Sequence, residues 1–135
     1  MLQLLEDFSL THSGGLKMTI DKQTPYGGIN ISMEAISSVA GSATAECYGV
    51  VGLSSKNSIR ENINEMLTKE NYHKGAITRK GKDGYEVDIY IIVAYGVKIT
   101  EVITEVQKKV KYVLEKTFDI KFKAINVYVQ GIKVI

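Results

Sequence analysis

Thiols are nearly absent from this chain: Cys47 stands alone among 135 residues, so no internal disulfide can form, and a reducing compartment is expected. Histidine is almost as scarce. His12 and His73 lie far apart and outside any run of Cys, Asp and Glu at metal-ligand spacing, so neither a metal nor a cofactor is expected. Tryptophan is missing and proline occurs once, at Pro25. The longest apolar run, residues 89–95, is far short of the roughly 20 residues that span a bilayer, so no direct membrane insertion is expected. The first 17 residues have no basic start followed by a continuous apolar centre, so no secretory signal is expected either. These absences describe a soluble, cytoplasmic chain. No repeat and no low-complexity segment interrupts it.

Charge of one sign is also in short supply. The formal net charge of +2 is too small to imply a polyanion partner. It is uneven, however. Residues 98–135 hold eight lysines against Glu101, Glu105, Glu115 and Asp119, a balance of +4, which leaves −2 on residues 1–97. Lys98, Lys109 and Lys116 share one helical flank with Glu101 and Glu105, and Glu105 to Lys109 is a favourable i,i+4 pair. A solvated face of mixed charge is the reading that follows.

What the chain has is a strand, a helix and a strand over residues 85–129. Val87, Ile89, Ile91, Val93 and Tyr95 alternate with Asp88, Tyr90, Ile92 and Ala94, the period of a strand rich in β-branched residues. Gly96 breaks it. Ile99, Val102, Ile103, Val106, Val110, Val113 and Leu114 then recur at helical spacing, within an arc of roughly 120°. Residues 124–130 alternate again, with Ile125, Val127 and Val129 on one side. A helix with one apolar face between two such strands lies across a sheet.

Upstream, residues 25–28 (PYGG) signal a turn and residues 28–31 a short strand. Ser32 is suited to cap a helix whose buried face is Met33, Ile36, Val39, Ala40, Ala43 and Cys47, with Gly49 as its stop. On that face Cys47 is a small core residue rather than a nucleophile. Val50, Val51 and Leu53 form a strand; Ile59, Ile63, Met66 and Leu67 fit a modest amphipathic helix. Residues 76–80 and 85–95 form a hairpin around the turn-rich 80–84 loop. The fold class is α+β, a single small domain over residues 18–135 in the order β-α-β-(α)-β-β-α-β. Its sheet is mixed or antiparallel, with helices packed on one face. Residues 1–17 are expected to be an accessory leader outside that domain.

No catalytic constellation is present, and the chain is expected not to be an enzyme. Eight tyrosines are the unusual feature. Tyr90, Tyr112 and Tyr128 fall on faces opposite the apolar stripes, where a ring can bury area and keep its hydroxyl wet. The chain closes on Ile132, Val134 and Ile135 around one lysine. These six residues are the candidate interface, for a protein partner or a second copy of the chain. The alternative is a nucleic-acid-binding module of KH-like character. The 49–52 run (GVVG) matches the Gly-x-x-Gly loop that grips phosphates, and Gly49, Gly52, Lys108, Lys109 and Lys111 would be its polyanion contacts. Two valines between the glycines suit a buried strand better.

Several stretches together resemble the alkaline shock protein twenty-three family of Gram-positive bacteria. They are GINIS at 28–32, then Ala40, Ala43, Glu46 and GVVGL at 49–53, then VDIYIIVAYGVKI at 87–99, Val102, Val106, Gln107 and Val110, and INVYVQGI at 125–132. The likeness covers residues 28–132 and is carried by the whole pattern. At Phe118-Asp119 the sequence departs from it, since such proteins usually end this helix on glycine. The resemblance implies a non-enzymatic cytoplasmic protein linked to cell-envelope and alkaline stress. It also implies self-assembly in some members and recruitment to the membrane through a membrane-anchored partner of the same family. The shortness of this chain is most similar to the branch encoded beside the kinase-like protein of fatty-acid phosphorylation.

Overall fold

The computed structural model describes residues 19–56 and 66–134. A β-hairpin opens it: β1 (Thr19–Thr24) pairs antiparallel with β2 (Gly27–Ser32), from Thr19 opposite Ser32 to Thr24 opposite Gly27. Pro25 and Tyr26 make the turn, which the Thr24 hydroxyl closes by donating to the Gly27 carbonyl at 2.8 Å and accepting the Tyr26 N–H at 3.2 Å. Strand β1 is absent from the sequence reading. Its six residues carry a single large aliphatic, Ile20, too little for a period-2 signal, yet that one side chain is buried.

Helix α1 (Met33–Ala45) starts where expected, with the Ser32 Oγ accepting the Ala35 N–H at 3.0 Å and Glu34 in the first turn. It ends earlier than expected. The Cys47 N–H closes on the Thr44 carbonyl at 3.0 Å, a tightened last turn that stops the helix at Ala45. Cys47 therefore lies beyond α1 and is half-buried rather than on its inner face. Gly49 instead makes the turn into the next strand at φ +87°, and a Cβ there would meet Val102 Cγ2 at 2.6 Å. Gly41 serves close packing: a Cβ would come within 2.7 Å of the Tyr72 Cβ, so its absence lets a short 3-10 helix (Lys69–Lys74) lie against α1. Of the helix expected around residues 59–67, Ile59 and Ile63 lie outside the described residues. Met66 and Leu67 lie in no helix, and the Leu67 N–H donates to the Leu53 carbonyl at 2.8 Å.

The main sheet is built on β5 (Gly84–Ala94). Along one edge run two strands in succession, β4 (Ala76–Gly81) beside the first half and β3 (Val50–Leu53) beside the second, both antiparallel. Along the other edge β6 (Phe122–Lys133) runs parallel, from Tyr85 opposite Phe122 to Ala94 opposite Lys133. A parallel neighbour needs a crossover, and helix α2 (Ile99–Phe118) supplies it. The sheet is mixed and both helices pack on one face, as the sequence indicated. Along β5 that face is apolar: Val87, Ile89, Ile91 and Val93 meet Val102, Val106, Val110 and Leu114 of α2 in one buried core with Ile36 and Ala40 of α1, and beside them the buried hydroxyls of Ser37 and Thr78 pair at 3.0 Å.

Asp119 explains the departure at the end of α2. It adopts the left-handed conformation, φ 55°, that a glycine would take at no steric cost. Lys22 of the hairpin holds it there, donating to its carbonyl oxygen at 2.9 Å and to its carboxylate. Aspartate tolerates this region better than most residues because its short polar side chain bonds locally. The same contact ties the hairpin to the C-terminal end of α2.

Candidate interaction surface

Among the described residues, the predicted interface residues other than Tyr112 lie on two surfaces of the sheet away from the helices. On the open face of the sheet, successive outward residues of β5 are Glu86, Asp88 and Tyr90, opposite Ala124, Asn126 and Tyr128 of β6. Arg79 of β4 donates through Nε to Asp88 Oδ2 at 2.9 Å and through its two terminal nitrogens to Glu86 at 3.3 Å each. Asn126 Nδ2 bridges the same carboxylates, reaching Asp88 Oδ1 at 2.9 Å and Glu86 Oε1 at 3.2 Å. The hydrogen bond to Asp88 holds the Arg79 pKa above its ordinary value. Every carboxylate oxygen here has a donor, so the network is a polar brace across three strands.

Tyr90 corrects an expectation. It is only 8% exposed, since the Tyr128 ring stacks on it with centroids 5.0 Å apart at 16°. The chain leaving β3 also runs beside it, with the Ser54 N–H on the Tyr90 carbonyl at 3.0 Å. Burial, then the charge of Asp88, pushes its hydroxyl pKa up. Tyr128 is the exposed outer member of that stack. Tyr112 stands apart, exposed on the outer side of α2 with the Lys116 ammonium 5.5 Å from its ring centre. Lys108 and Lys111 are exposed on α2 as well. Lys109, expected to pair with Glu105, reaches Glu46 beyond α1 at 3.0 Å. Burial is the main reason the nearby Cys47 thiol is pushed above its usual pKa; Lys109 opposes the shift, and Glu105 and Glu46 add to it.

The second surface lies where β5 and β6 end. Here residues distant in sequence form a cleft of about 580 Å³, lined by Tyr48, Gly49, Val50, Val51, Ala94, Tyr95, Val97 and Val134. Tyr48 is 87% exposed, Tyr95 72% and Val134 76%, with Ile132 also exposed. Ile132 and Val134 are sequence candidates; Ile135 lies outside the described residues. Tyr48 and Tyr95 escape the sequence reading as partners of that tail, because two pairings bring residues 48, 95 and 134 together: β3 antiparallel to β5, with the Ala94 N–H on the Gly49 carbonyl at 2.9 Å, and β6 parallel to β5. Only Gly49 of the 49–52 run lies in a turn; Val50, Val51 and Gly52 are already in strand β3, with Met66 over Gly52, where a Cβ would meet its sulfur at 2.8 Å.

Among the described residues β6 pairs with β5 alone, so it is an edge strand. A strand's backbone groups lie in the sheet plane, so a helix on the face reaches them with side chains only at an open edge. Glu115 accepts the Phe122 N–H at 3.3 Å and Gln107 donates to the Ile125 carbonyl at 3.0 Å, so α2 covers the first residues of this edge. Farther along, the register shifts between Ile91 and Ile92, leaving Gln130 as a bulge. Both devices blunt edge-to-edge pairing. The exposed apolar side chains at the end of the sheet have no such cover among the described residues.

The model of the alkaline shock protein twenty-three family, described as having a cell envelope-related function, matches residues 21–134. The uncharacterised protein YloU of Bacillus subtilis (strain 168) is 46% identical over 117 residues, covering 87% of this chain and 98% of YloU. An uncharacterised protein of Streptococcus pyogenes serotype M6 is 42% identical over 118 residues, again 87% of this chain and 98% of that one. Bacillus subtilis YqhY, likewise uncharacterised, is 29% identical over 112 residues, 83% of this chain and 82% of YqhY. Among solved structures, the copper form of the MamM C-terminal domain gives a TM-score of 0.43 at 14% identity, over 73% of this chain and 85% of that one, too slight a likeness to bear on fold or function.

Proposed function

Since this chain belongs to the alkaline shock protein twenty-three family, whose function is cell envelope-related, we propose that it is a non-enzymatic interaction protein serving envelope homeostasis. On this reading it works from the cytoplasm, contacting proteins, itself included, through the end of its sheet, and a partner recruits it to the membrane. No described helix is long and apolar enough to cross a membrane. One observation carries the reading: Tyr48, Tyr95, Ile132 and Val134 are all exposed at the end of a sheet whose helix-facing side is tightly closed. A contiguous apolar patch with a polar rim marks a contact surface, and tyrosine is enriched at such surfaces.

The test compares wild type with the Tyr95→Ser, Val134→Asp double variant by sedimentation and by pull-down with and without nuclease. Both side chains are largely exposed, so the variant should melt with the wild type. Association that survives nuclease and disappears in the variant supports the reading. Association that nuclease abolishes, or that the variant leaves intact, overturns it.

A further inference from the structure

Tyr26 is the most exposed large hydrophobic side chain described, at 100%, and it stands at the tip of the β1–β2 turn. Resting on the reading of the sheet end as a contact surface, we propose that this tip is a knob that enters the sheet-end cleft of a second copy of this chain. Molecules then join head to tail.

Four features lead there. The tip is stiff: Pro25 fixes one backbone angle and the Thr24 hydroxyl closes the turn from both sides, so little freedom is lost on docking. It is uncharged, since residues 23–28 (QTPYGG) carry no ionisable group but the phenol, so an apolar cleft desolvates no ion on receiving it. The cleft offers about 580 Å³ between the exposed rings of Tyr48 and Tyr95. Offset or edge-to-face packing of a third ring between them is the arrangement that aromatic side chains favour.

The fourth feature is placement. The hairpin is tied to the C-terminal end of α2 through Lys22 and Asp119, whereas Val97, in the cleft, precedes its first turn. At 1.5 Å per residue this 20-residue helix separates the two ends by about 30 Å. A tip therefore cannot fill its own cleft, and a second copy is the occupant that supplies the matching piece. Knob and cleft are different surfaces, so the contact is heterologous and does not close on itself unless the rotation between neighbours happens to form a ring. Three rings at about 150–250 Å² each bury roughly 450–750 Å², so even with adjoining backbone and Val134 the contact stays below the ~1,200 Å² of stable specific interfaces, among weak and transient encounters. Assembly of this kind is weak and grows with concentration.

Sedimentation of the full chain over a wide concentration range tests this. Tyr26→Ser removes the knob at a fully exposed position, and Tyr95→Ser with Val134→Asp spoils the cleft; circular dichroism checks that both fold. Wild type is expected to form progressively longer species, and each variant alone to stay monomeric. Their equimolar mixture should give a dimer and nothing larger, because one knob and one cleft remain between them. The proposal is overturned if wild type stays monomeric or stops at a closed dimer, if Tyr26→Ser associates as wild type does, or if the mixture fails to dimerise. Association kept by Tyr26→Ser but lost by the cleft variant leaves the sheet-end surface standing and removes only this occupant. Association lost by neither variant removes both.

Discussion

Val106 offers a direct energetic check on the core, because it is fully buried midway along α2 and packs in the cluster that joins both helices to β5. Truncation to alanine removes two methyl-sized groups, worth about 0.8 kcal/mol each in transfer. The unfilled cavity adds to that, placing Val106→Ala near 2–3 kcal/mol. For a chain between the two size classes usually compared, about 3–5 °C of Tm is lost per kcal/mol, so a drop of about 6–15 °C is expected. Val106→Asp is a different perturbation. Its carboxyl has no partner in an apolar stripe, and the cost of burying it reaches about 4–5 kcal/mol or more. Against a total stability of about 5–15 kcal/mol, that is roughly a third of it or more, and at the same rate of about 3–5 °C per kcal/mol the variant should melt about 12–25 °C below wild type. Thermal melts followed by far-ultraviolet circular dichroism read both outcomes. If both variants melt within a degree or two of wild type, α2 does not pack on β5 as described.

Cys47 is expected to be inert: with its thiol pushed up by burial, little thiolate exists at neutral pH, so a bulky thiol reagent should label the native protein slowly and Cys47→Ala should leave association unchanged. Fast labelling would contradict this. The Lys22 hydrogen bond holds the Asp119 carboxyl below its ordinary pKa, so its contribution to stability is present above the unfolded value, about 3.9, and is lost as pH falls through the folded value. Asp119→Asn keeps a residue tolerant of the left-handed conformation, so it should be less stable than wild type at pH 7, with the gap closing below about pH 4; a gap that widens in acid would refute the assignment. Nucleic acid should bind only weakly through exposed lysines such as Lys108 and Lys111, with steep salt dependence. Tight binding near physiological salt, lost in the Lys108→Glu, Lys111→Glu variant, would restore the nucleic-acid reading.

Elements whose own residues carry the signal were legible in the sequence. The apolar stripe of α2, the alternation of β5, the turn-rich loop of the β4–β5 hairpin and the Ser32 cap all lie where local pattern places them. Strand β1 was not legible, because its place depends on pairing with β2 and on the burial of Ile20 rather than on any alternation of its own. The exposure expected for Tyr90 failed for a related reason: the face opposite the helices is screened by the Tyr128 ring and by the chain leaving β3. The candidate site was half legible. Ile132 and Val134 stood out as apolar residues near the chain's end, but their meeting with Tyr48 and Tyr95 depends on β6 running parallel to β5. A single sequence gives no measure of that register.

The most direct test of the sheet end as a contact surface is site-specific photo-crosslinking in living cells, with the reactive side chain placed at position 95. The control carries it at position 82, in the exposed loop between β4 and β5. Crosslinked products of discrete mass are expected from position 95, absent from position 82 and lost when Val134→Asp is added. Equal products from both positions, or none above background from position 95, would contradict the assignment of this surface.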